Sequence, residues 1–115
     1  MELITREQFA LLLLNGEAQQ ADPDNYDPIP LVKLFNPVGA GTWLLTSVDP
    51  EDPDTAYGLC DLGMGSPEIG PVSIEELTNF KGPLQLGIER DLHWVGDKTL
   101  GKYAQEARAI GNIVD

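Results

Sequence analysis

The chain has 115 residues, with 19 Asp and Glu against seven Lys and Arg, a formal net charge of -12 at pH 7 and 42% hydrophobic residues. That length suits one folded domain, and the apolar content sets the chain apart from disordered proteins. The charge opposes direct binding to a phosphate backbone and leaves basic proteins as the expected partners, with simple solubility as the plain alternative.

From the N-terminus, Thr5-Arg6-Glu7-Gln8 has the form of a capping box, in which Thr5 and Gln8 satisfy each other's main-chain N–H groups. A helix is expected to start there and run to Ala18 or Gln20, with Ile4 stapled to Phe9 and Leu12 or Leu13 facing the core. The longest apolar run, Phe9 to Leu14, is far short of the roughly 20 residues of a membrane span. No basic leader precedes it and no small-residue cleavage site follows, so a cytoplasmic setting is expected. Ala21 to Pro30, with three prolines and several Asp and Asn, reads as a loop. Its Asp22 to Asp27 stretch lacks the glycine and distal Glu of a calcium loop.

Leu31 to Phe35 and Thr42 to Val48 read as adjacent strands, and Thr55 to Leu62 as a third. Between the last two lies Asp49-Pro50-Glu51-Asp52-Pro53-Asp54, which its prolines and acids mark as a turn. An acidic hairpin tip is expected there. After the Gly63-Met64-Gly65 turn, which lacks the Lys-Ser/Thr of a phosphate loop, Glu68 to Ser73 forms a short strand interrupted at Gly70-Pro71. Ser73-Ile74-Glu75-Glu76 repeats the capping-box pattern and opens a helix to about Phe80. Ile88 to Trp94 is the last strand. A final helix is capped by Thr99, carries Leu100, Tyr103, Ala104, Ala107 and Ile110 on one face, and stops at Gly111. The fold class is therefore α+β: a mainly antiparallel sheet of four to five strands, with N- and C-terminal helices covering one of its faces and one short internal helix.

Chemistry-bearing residues are sparse. Alternation along the last strand would put Glu89, Asp91 and His93 on one face, a set able to ligate a divalent cation or supply a general base for a small metal-dependent hydrolase. The plain alternative is the solvated face of a half-buried strand. Arg90 falls on the apolar side of that strand and needs a partner, with Asp61 and Glu68 as candidates. Cys60, the single cysteine, excludes an internal disulfide, and beside apolar neighbours it reads as a core residue rather than a nucleophile paired with His93. No cofactor motif is present. Asp49, Glu51, Asp52 and Asp54 are the candidate partner-binding residues.

Pro30 to Phe35, Thr42-Trp43, Tyr57 to Gly63, Pro67 to Gly70 with Val72-Ser73, and Gly87 to Trp94 together resemble the bacterial domain-of-unknown-function family numbered 2958, across nearly the whole chain. The resemblance implies accessory cargo of plasmids and integrative elements and carries no catalytic residues with it. The leading expectation is a non-enzymatic acidic protein-binding domain, a DNA mimic in its sharpest form. A hydrolase and a structural or oligomerisation subunit are the alternatives.

Overall fold

The computed structural model describes residues 2–115. Met1, where the reading of a missing leader begins, lies outside them. In chain order the elements are helix α1 (Arg6–Ala21), strands β1 (Val32–Phe35), β2 (Thr42–Asp49), β3 (Asp52–Asp61) and β4 (Glu68–Ser73), helix α2 (Ile74–Asn79), strand β5 (Glu89–Arg90) and helix α3 (Leu100–Ile110). Single 3-10 turns occupy Pro23–Asn25 and Pro83–Gln85. The strands form one sheet in the order β4-β3-β2-β1-β5, with every neighbouring pair antiparallel. This is the expected α+β class.

The helix ends follow local chemistry. Thr5 Oγ1 accepts from Gln8 N–H at 3.1 Å while Gln8 Oε1 accepts from Thr5 N–H at 2.9 Å, closing the capping box. Ile4 and Phe9 both pack on the core beside that cap. Thr99 caps α3 through Lys102 N–H, and Gly111 ends it in the left-handed conformation that glycine adopts freely. Leu100, Tyr103, Ala104 and Ala107 are buried as expected, but Ile110 is exposed. At 100° per residue it sits about 70° from the centre of that face.

The helices do not share one face of the sheet. Trp43 and Leu45 of β2 join Val32, Leu34, Val48 and Ala56 beneath α1, with Ile74 and Leu77 of α2 packed alongside. Leu44, between them in sequence, points the other way and joins Leu59 under α3. Each face therefore has its own core, and Leu44 to Val48 is buried without a break because β2 is covered on both sides. Gly16 permits a close approach of α1 to β2: a Cβ there would overlap the carbonyl oxygen of Val48.

Three strand expectations are corrected. The hairpin turn is only Pro50-Glu51, and β3 already begins at Asp52, paired with Asp49. Pro53 lies inside β3 because the register jumps from Asp49 opposite Asp52 to Val48 opposite Ala56, leaving residues 53–55 outside the ladder to β2, where a missing N–H costs nothing. Likewise β4 runs uninterrupted through Gly70-Pro71, since as an edge strand it has one side free of pairing. The last strand, expected over Ile88 to Trp94, is reduced to Glu89–Arg90. Its partner β1 is only four residues long, and after Asp91 N–H bonds to Lys33 O the Asp91 carboxylate accepts from His93 N–H and turns the chain away.

Candidate functional site

The acids of the β2–β3 hairpin are built into its end. Asp49 Oδ1 accepts from Glu51 N–H at 2.9 Å, fixing the tight turn, and Asp52 Oδ2 accepts from the Thr55 hydroxyl at 2.8 Å. Asp54 reaches across to the next connection: Oδ2 accepts from the Ser73 hydroxyl at 2.6 Å and Oδ1 from Glu75 N–H at 2.8 Å. Those two bonds, the first from Ser73 and the stronger in effect, hold the Asp54 carboxyl below its ordinary range. The Ser73 hydroxyl also accepts from Glu76 N–H. Asp54 thus satisfies the free Glu75 N–H of the first turn, while the expected Ser73–Glu76 box is made from one side only, without the return bond from Ser73 N–H to the Glu76 side chain.

This arrangement brings Glu75 and Glu76, the first turn of α2, beside the hairpin acids. The C-terminal end of α1 arrives at the same place: Gly16 packs on Val48, the Gln20 amide donates to Asp49, and Pro23 lines one small pocket with Asp49 and Pro50. Its last turn carries no base, so the negative pole of the helix adds to the field. No Lys, Arg or His occurs anywhere in residues 34–80. Among the described residues, ion pairs involve only Lys33 with Asp91 and Asp115, and Lys98 with Glu106, so the carboxylates of this end are paired with no cation. Glu51, Glu75 and Glu76 make no side-chain hydrogen bond there either and face solvent. Sequence reading singled out the hairpin acids but took Glu75 and Glu76 as capping residues alone. The stretch of 34–80 without a base was the available signal.

The second predicted set is not assembled by a strand. With β5 ending at Arg90, the alternation that was to align Glu89, Asp91 and His93 is missing. Asp91 is engaged by His93 N–H and Lys33, while Glu89 and His93 are exposed. Among the described residues, no three His, Cys, Asp or Glu side chains gather as a metal-ion set. Arg90 bonds to neither Asp61 nor Glu68. Its Nη1 donates to the carbonyls of Glu2 and Leu3 at 2.8 and 2.9 Å. The strand order explains the miss, since β3, with Asp61, is three positions from β5, about 14 Å at the usual strand spacing. Burial pushes the Cys60 thiol up to about 11, which leaves it protonated at neutral pH.

A family model described as protein of unknown function (DUF2958) matches residues 3–114. The chain belongs to this family. No curated protein and no solved structure matches it. As a DUF2958 member, the chain takes from its family no activity and no functional residues, so the acidic end stands on its own geometry. No helix among the described residues is long and apolar enough to cross a membrane.

Proposed function

We propose that this chain is a non-enzymatic binding protein whose acidic end, formed by the β2–β3 hairpin and the first turn of α2, engages a basic protein partner. The reading is carried by one observation: hydrogen bonds from Ser73 and Glu75 to Asp54 draw two separate acidic segments into one patch that no Lys or Arg neutralises. Such a field accelerates encounter with a cationic surface and discriminates against acidic ones. The mobile-element setting implied by the family resemblance fits an accessory protein that acts by binding.

The test compares two triple variants of equal charge change in pull-downs from a bacterial host lysate. Glu51→Gln, Glu75→Gln, Glu76→Gln removes the solvent-facing half of the patch's charge without touching the bonds that build it, and Glu2→Gln, Glu68→Gln, Glu89→Gln neutralises acids elsewhere. The wild type and the second variant retain a basic protein at low salt and release it at high salt, whereas the first variant fails to retain it. Equal loss in both variants, or recovery of no basic partner, overturns the reading. Competition by duplex DNA for the captured protein distinguishes imitation of a phosphate backbone from other recognition of acids.

A further inference from the structure

Helix α1 is apolar on two opposite faces. Phe9 and Leu12 pack on the sheet, whereas Leu11 and Leu14 are 49% and 59% exposed. Leu11, Leu14, Ala18 and Ala21 recur at spacings of three, four and three, so at 100° per residue they form one outward stripe, which Glu7 closes a turn before Leu11. This 3-4 repeat is the seam by which two helices pack. Arg6 and Glu17 are exposed at the two ends of the stripe and lie on the same flank of it. Neither is in an ion pair among the described residues.

We propose that this face pairs antiparallel with α1 of a second copy of the chain, forming a two-fold dimer. Leu11 then packs against the partner's Leu14, and the symmetry repeats the contact. Because same-flank positions meet across an antiparallel pair, Arg6 approaches the partner's Glu17 and Glu17 approaches the partner's Arg6. A parallel pair would set this flank against the partner's other flank, which carries the uncharged Gln8, Asn15 and Gln19, so only the antiparallel order pairs the charges. That order also sends the two acidic ends, which lie at the C-terminus of each α1, to opposite extremities of the dimer and minimises repulsion between two chains of net charge -12. One helix of 16 residues, about 24 Å long, buries less than the roughly 1,200 Å² of a strong interface, so association is weak and concentration-dependent.

Sedimentation and light scattering of the full chain, from about ten micromolar to about one millimolar, test this. The mean mass of the wild type rises from 12.5 kDa toward twice that value. Arg6→Glu and Glu17→Arg each weaken association about tenfold, and the double exchange restores it. An effect of net charge alone would move the two single variants in opposite directions. Each substitution suits the pole of the helix it occupies, and circular dichroism of the monomers confirms that α1 is intact. A wild type that stays monomeric throughout, a dimer that survives Leu11→Glu with Leu14→Glu, or a double exchange no better than the singles overturns the proposal.

Discussion

The carboxylate of Asp61, the last residue of β3, accepts the main-chain N–H of Ile113 at 2.9 Å, joining the end of the chain to the sheet. Its second oxygen accepts from Gly63 N–H at 2.9 Å. The side chain is buried, so removing it leaves two donors short of a partner. Asp61→Ala is expected to lose about 2 kcal/mol, read as a lower urea midpoint with an unchanged slope. An unchanged midpoint would show that the segment after α3 does not depend on this anchor.

Gly16 sets the distance between α1 and β2. A glycine-to-alanine change inside a helix ordinarily stabilises by up to about 1 kcal/mol. Here the added methyl meets the Val48 carbonyl, a main-chain atom that cannot swing aside. Gly16→Ala is therefore expected to destabilise by about 2 kcal/mol. The sign alone decides, since a thermal midpoint above the wild type would mean that α1 can lift off the sheet.

The helices of this fold were legible because their signals are local. Thr5 with Gln8, and Thr99 with Gly111, settle helix ends within a few residues, and the 3.6-residue period placed Leu100, Tyr103, Ala104 and Ala107 in the core. What failed depended on distant partners. Whether Pro53 can sit in a strand depends on the slip opposite Val48 and Asp49, and the partner of Arg90 on a strand order that no short window contains. The two-sided core did have a signal in the unbroken run from Trp43 to Leu45, which suits a strand covered on both faces. At the acidic end each residue was visible singly, but the bonds that gather them span 19 and 21 residues.

Arg90 fastens the opposite end of the chain. Both of its bonds go to main-chain carbonyls of Glu2 and Leu3, immediately before the Thr5 cap of α1. Arg90→Ala is expected to cost about 1 kcal/mol and to speed amide exchange in the first turn of α1, with the rest of the sheet protected. Arg90→Lys keeps the charge but loses the planar fork and recovers only part of that protection. Uniform loss of protection across the sheet would instead make Arg90 a core support.

The pH dependence of stability is set in part by Asp54. Its folded pKa lies below the ordinary 3.8, chiefly through the Ser73 hydroxyl and next through Glu75 N–H. A lowered folded value means that the stabilisation is complete above the unfolded pKa and disappears as pH falls through the folded one. Wild type and Asp54→Asn should therefore differ most in thermal midpoint at neutral pH, begin to converge as pH falls below about 4, and meet only once it passes below the lowered folded value. A gap that persists unchanged into strong acid would show that the carboxylate charge is not what holds α2 to the hairpin.

Cys60 offers a check on whether any nucleophile is hidden in the sheet. Its thiol lies on the α1 side of β3 and donates to the Gly58 carbonyl at 3.8 Å, and burial raises its pKa from 9.0 to about 11. At pH 8 the thiolate fraction is then lower by about two orders of magnitude than in the unfolded chain. An aromatic disulfide reagent should label the native protein at least about a hundredfold more slowly than the urea-unfolded one, because partial burial adds an access barrier to the missing thiolate. Rapid labelling of the native chain would overturn the assignment of Cys60 as an inert residue packed beneath α1, and would make the sheet interior reachable from solvent.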